Sequence, residues 1–155
     1  MDDLGAALLW MHVLSGAVWI GACACVAIAG SALAVGSDEF RDFVTRALPR
    51  LNRFNAAAAM MLVATGTARF IVLAMVDGFA PSTTFIQVLA MKVGLFAAMA
   101  LGLASAWRAE AALRGASANA AESVAAPMRR LTAVSGLTAL LGAAAMVLGL
   151  WLVGS

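Results

Sequence analysis

The chain has 155 residues, 64% of them hydrophobic and 12% charged, with a formal net charge of +2 and a mean hydropathy of +0.97. Soluble domains carry about twice that share of charge, so the composition excludes an ordinary soluble domain and indicates a single integral membrane domain over residues 1–155. No basic run, aromatic RNA-binding box or zinc-finger spacing is present, so nucleic acid is not an expected partner.

Four apolar segments, about 4–35, 54–76, 84–107 and 131–153, each reach the roughly 20 residues that a membrane-spanning helix needs. The expected fold is all-α, an integral membrane four-helix bundle. The first segment has no charge between Asp3 and Asp38. An A-x-A pattern at Ala32 and Ala34 resembles a signal-peptidase site, but "MDD" is acidic and the apolar run is too long for a signal peptide, so it reads as an uncleaved helix. Cys23 and Cys25 point roughly 200° apart on a helix and read as small packing residues. The segment 38–53 then reads as a short amphipathic helix at the membrane surface, with Phe40, Phe43, Ala47 and Leu51 on one face.

Charge in the connections sets the expected orientation. The first carries Arg41, Arg46, Arg50 and Arg53, and the third, 108–130, carries Arg108, Arg114, Arg129 and Arg130. The second, "DGFAPST" from Asp77, has no basic residue, and neither terminus has a basic side chain. The positive-inside rule then puts both basic connections in the cytoplasm and both termini outside. Within the third connection "RGASANAAESVAAP" reads as a mobile polar linker. On the fourth segment Ser135, Ala139, Gly142 and Gly149 form a seam of small residues that lets helices approach closely in lipid; "AAAA" at Ala56–Ala59 reads the same way.

Three segments each place one imidazole or cation in the same outer-half layer. His12, the single histidine, lies roughly 13 Å deep, Arg69 roughly 12 Å and Lys92 roughly 15 Å. Met146 lies at a similar depth on the fourth. Taken singly, each has a plain structural reading: Arg69 snorkelling to the headgroups, His12 bonded to a neighbouring carbonyl or serine, Met146 filling the core. Taken together, two cations and an imidazole without a carboxylate call for an anionic partner. Propionates of a porphyrin or a quinone oxygen suit Arg69 and Lys92, and a neutral His12 suits iron or copper. His12, Ser15, Gly16, Trp19 and Cys23 share one stripe, on which the deep Trp19 could pack against a flat ligand or belong to the core. On the second helix Leu62, Thr65, Gly66, Arg69 and Leu73 share a face. The expected site is therefore His12, Arg69, Lys92 and Trp19 around a cofactor, with His12 and Met146 as metal ligands.

"LLWMHVLSGAVWIGA", "LNRFNAAAAMMLVATGTARF" and "VLAMKVGLFAAMALGLASAWRAEAAL", in this order, resemble the CopD family of copper-resistance inner-membrane proteins. The resemblance lies in a histidine followed by W-x-G, an R-F segment with a later T-G, and a lysine helix with a trailing arginine. Asn55 stands where that family usually has serine. The same histidine-then-lysine order resembles HemJ, a membrane protein linked to protoporphyrinogen oxidation and haem binding, although the arginine and tyrosine that follow its first W-x-G are absent here. Both resemblances carry over His12 and Lys92, with Trp19, Gly21 and Arg53 as pattern residues.

The resemblance implies a bacterial cytoplasmic (inner) membrane protein that handles or transports copper. The alternative is a haem b protein in electron transfer or tetrapyrrole oxidation, with a quinone or tetrapyrrole as partner. Copper(I) favours thioether and imidazole, which Met11, Met75, Met146 and His12 offer, whereas the cations at Arg69 and Lys92 suit haem propionates better. A third reading is an accessory subunit, paired with a second copy or a larger membrane complex. No nucleophile–base pair, carboxylate pair, phosphate loop or dinucleotide fingerprint is present, so any enzyme activity expected is that of a membrane oxidoreductase.

Overall fold

The computed structural model describes residues 2–75, 79–115 and 121–154. These residues are almost entirely helical: α1 (Asp2–Ala32), α2 (Asp38–Asp42), a π-helical turn (Phe43–Ala47), α3 (Leu48–Ala74), α4 (Thr83–Gly115) and α5 (Ala121–Gly154). Among the described residues four helices are long and apolar enough to cross a membrane, namely α1, the continuous run from α2 through α3, α4 and α5. The expected all-α membrane bundle is what the chain forms.

The helices are apolar on every side, and large side chains such as Trp10, Phe54, Met60, Leu101 and Leu140 remain exposed on the protein surface. That pattern suits a chain whose solvent is lipid. Packing must then come from close approach and from polar contacts, because lipid supplies no hydrophobic force between helices. Glycines mark the close approaches. A Cβ added at Gly142 of α5 would lie 2.5 Å from Ile20 Cγ1 of α1, and one added at Gly30 of α1 would lie 2.5 Å from Thr132 Oγ1 of α5. Gly102 of α4 similarly receives the Thr138 hydroxyl of α5. The small-residue seam read on the last helix is thus the surface on which α1 and α4 both pack. α1 sits between α3 and α5, and α3 and α4 touch least of the adjacent pairs.

The register is up-and-down. The C-terminal end of α1 (Val26), the start of α3 (Leu48), the end of α4 (Ala109, Leu113) and the start of α5 (Met128, Leu131) share one core cluster. His12, Thr65, Lys92 and Gly149 lie at the opposite end. The first is the basic end of the bundle and the second the terminal end.

Two connections differ from the sequence expectation. The amphipathic segment 38–53 is not a separate surface helix, because α2 runs through the π turn into α3 without a break. Ser37 caps α2 by accepting from the Phe40 N–H at 3.1 Å, and Gly36, at φ 93°, supplies the left-handed turn before it. Pro49 has no N–H to offer the Thr45 carbonyl, which accounts for the widened turn ahead of it. Phe40 and Phe43 point into the core cluster and close the basic end of the bundle. The stretch 108–130, read as a linker, is a correction: α4 continues to Gly115 and α5 starts at Ala121. The Ala, Glu and Arg of "AWRAEAALRG" favour helix, and α5 continues through Pro127, past its first turn, at the cost of one backbone hydrogen bond. Residues 116–120 of that linker, and Val76, Asp77 and Gly78 of the second connection, lie outside the described residues.

Candidate metal or cofactor site

His12 faces the bundle interior and packs on α3. Its Nδ1 is 3.0 Å from Thr65 Oγ1. The Thr65 hydroxyl donates its one proton to the Met61 carbonyl at 2.7 Å, with the Leu62 carbonyl at 3.3 Å. Oγ1 can therefore only accept from the ring, which fixes Nδ1 as the protonated nitrogen and leaves the Nε2 lone pair free. The Leu62 carbonyl lies beside the same imidazole. Gly66 makes the room: a Cβ there would lie 3.3 Å from His12 Cε1 and 3.7 Å from Nδ1. Thr65 and Gly66 together form a clip that orients the ring and presents a basic nitrogen, as metal-binding histidines are oriented by a partner on the other nitrogen.

Lys92 comes from α4 and reaches α5, where its Nζ would lie 3.5 Å from a Cβ built on Gly149. Following the packing pairs along the helices, Lys92 is level with Thr65 and His12. Arg69 lies about one turn, ~5 Å, nearer the terminal end, and its side chain is exposed. Both cations are close enough to His12 to act on it electrostatically, and Arg69 acts on Lys92 as well. No carboxylate of α1, α3, α4 or α5 lies at this level: the acidic residues are Asp2, Asp3, Asp38, Glu39, Asp42, Asp77, Glu110 and Glu122. The layer is an imidazole base beside two ammonium- and guanidinium-type cations in low-dielectric surroundings.

Met146 is half-buried on the same stripe of α5 as Gly142, which meets Ile20 and Met99, and Gly149, which meets Lys92. It therefore sits one turn toward the basic end from the Lys92 level. Trp19 is 0% exposed and belongs to a cluster with Cys23, Ala58 and Met99. Its ring meets Phe96 edge-on at 5.6 Å. The structure thus gives Trp19 the core role, as the floor beneath the layer. Its Nε1 makes no hydrogen bond of normal geometry and lies beside the Cys23 thiol, a weak acceptor.

Below Trp19 the interior stays polar at intervals. Asn55 Nδ2 donates to Cys23 Sγ at 3.7 Å, while its Oδ1 has no partner. Cys23, Asn55, Ser135 and Thr138 line a small void of about 10 Å³, near the size that holds one water. At the basic end Glu110, buried on α4, accepts from Asn52 and from Arg114. Sequence reasoning missed Asn52 and Glu110 and noted Asn55 only as a departure from the family pattern. The i, i+4 spacing of Glu110 and Arg114 was the available signal.

Among the described residues no three His, Cys, Asp or Glu side chains group closely enough to hold a metal ion by themselves. Comparison with protein-family models, with curated proteins and with solved structures gives no match.

Proposed function

We propose that this is a membrane redox or metal-handling protein of CopD-like type whose site lies in the half of the bundle nearest the termini. His12 Nε2 is its protein ligand to a metal, and Arg69 and Lys92 neutralise the anionic part of the bound group. The observation that carries the proposal is the Thr65–Gly66 clip, which commits Nδ1 and frees Nε2 in a layer that, among the described residues, holds two cations and no carboxylate.

Between the two cofactors, this donor set fits haem b better than a bare copper ion. Haem would bring four nitrogen donors of its own and so would ask for few from the protein. Its propionates suit Arg69 and Lys92, which would repel a bare cation. His12 would hold the iron, with Met146, one turn further in, as the candidate second protein ligand. The group would supply one-electron chemistry, and the chain would contribute the imidazole's orientation and the charge balance. Copper handling is the second reading, favoured by soft donors stepping inward from His12, namely Met146, Met99 and Cys23. Membership of a larger membrane complex is the third.

The test is an optical spectrum of the gently purified protein, oxidised and dithionite-reduced, with iron and copper measured on the same sample. A Soret band that disappears in His12→Ala supports haem. Stoichiometric copper without a Soret band, lost in the same variant, supports copper. Neither one overturns the metal-site proposal and leaves the subunit reading.

A further inference from the structure

At the basic end the loosely packed seam between α3 and α4 opens into a cavity of about 340 Å³, lined by Pro49, Asn52 and Arg53 of α3 and by Trp107, Glu110 and Arg114 of α4. Its charge is built in. Glu110 is 4% exposed, and both of its oxygens are taken, one by Asn52 Nδ2 and one by an Arg114 nitrogen. This pins Arg114 at the cavity wall with most of its five donors still uncommitted. Arg53 forms no ion pair with any described acidic residue. Two guanidinium groups against one carboxylate leave the cavity one positive charge in excess. Trp107, half-exposed at 49%, completes the wall, and an indole in that position is typical of the boundary between headgroups and hydrocarbon.

We propose that this cavity binds the phosphodiester headgroup of an anionic glycerophospholipid from the leaflet at the basic end, with the acyl chains lying along the α3–α4 seam. A guanidinium fork matches phosphate oxygens, and basic pockets between membrane helices are where anionic headgroups lodge. A lipid is favoured over a soluble phosphate because the wall includes Trp107 and the cavity lies between two helices whose flanks are apolar. The site is separate from the His12 layer, at the other end of the bundle.

The experiment is a thermal-stability titration of the detergent-solubilised, delipidated full chain with phosphatidylglycerol, with phosphatidylcholine and inorganic phosphate as parallel arms and native mass spectrometry to count bound lipids. Phosphatidylglycerol should raise the melting temperature saturably with about one lipid retained per chain, and the other two arms should not. Arg53→Gln should weaken that binding by roughly tenfold, as expected for loss of a charge-assisted contact. Arg41→Gln, which removes an exposed arginine outside the cavity, should leave it unchanged. Because Arg53 is exposed and unpaired, its variant should keep the unliganded melting temperature, so loss of binding is not confused with loss of fold. An equal shift with phosphatidylcholine, an equal shift with inorganic phosphate, or equal effects of the two arginine variants each overturns the proposal.

Discussion

The Thr65–His12 contact makes a quantitative prediction. Thr65→Val keeps the shape of the side chain and removes its oxygen. Thr65 is 3% exposed, so the vacated position is closed to solvent and the His12 Nδ1–H at 3.0 Å loses its acceptor. An unsatisfied buried donor costs about 1–3 kcal/mol in a water-soluble reference. Within a membrane the unfolded helices also find partners, and measured side-chain hydrogen bonds average about 0.6 kcal/mol with a maximum near 1.7. The Leu62 carbonyl beside the ring offers partial compensation, so we expect a loss of about 1 kcal/mol. The assay is reversible unfolding in mixed detergent micelles, run as a double-mutant cycle with His12→Leu. The cycle should return a coupling energy of about 0.6–1.7 kcal/mol, and Thr65→Ser should restore most of it. A coupling below about 0.3 kcal/mol, or Thr65→Ser behaving like Thr65→Val, would refute the clip. If His12 carries a metal, Thr65→Val should also weaken its retention by about 10–100-fold while leaving the ligand in place.

Other predictions concern packing and surface charge. Gly142→Ala places a methyl 2.5 Å from Ile20 Cγ1 and 3.1 Å from Met99 Cε. It should destabilise the bundle by about 1–3 kcal/mol from overpacking, less about 1 kcal/mol gained in helix propensity. Gly94→Ala, with nothing within 4 Å of the new Cβ, should be neutral or slightly stabilising in the same unfolding assay. Asp42→Asn removes an exposed ion pair to Arg46 at 3.4 Å and should change stability by less than about 0.5 kcal/mol. Trp19→Phe should cost under about 2 kcal/mol despite complete burial, since the lost indole N–H is one the fold leaves without a normal hydrogen bond, whereas Trp19→Ala should cost about 3–5 kcal/mol.

Much of the architecture was readable from hydropathy, because a span in lipid must satisfy its own backbone and so declares itself by length and apolarity. The small-residue seam on α5 was readable for the same kind of reason: Gly142 and Gly149 sit where other side chains press closest. The helix ends were not. Hydropathy falls at Trp107, yet α4 continues to Gly115, since Ala, Glu and Arg sustain a helix in water as well as in lipid. The amphipathic face of 38–53 was read correctly, but periodicity gives no target, and Phe40 and Phe43 take the bundle core. At the site, the shared level of His12 and Lys92 followed from counting residues. Thr65 and Gly66 were visible on the same helical face as Arg69, but their clip on His12 depends on the α1–α3 register, which one helix alone does not encode.

That register has a physical origin. With little hydrophobic force to choose a partner in lipid, the faces that turn inward are those carrying groups too costly to leave against hydrocarbon or too small to keep a neighbour away. On the α1–α3 interface these alternate down one stripe: His12 with Thr65, Gly16 with Leu62 at 4.0 Å, and Cys23 with Asn55. Shifting α3 by a single residue rotates it about 100° and turns Thr65 and Asn55 away from both partners at once. The α5 interfaces combine glycine contacts at Gly30, Gly102 and Gly142 with the buried side chains of Val124, Met128 and Leu131. The α3–α4 seam has few of either kind, apart from the Asn52–Glu110 link at its basic end. It is therefore the joint of the bundle least specified by its own residues, and the one at which an outside molecule meets the least resistance. The cations at its basic end, Arg53 with Arg114, give such a molecule its sign.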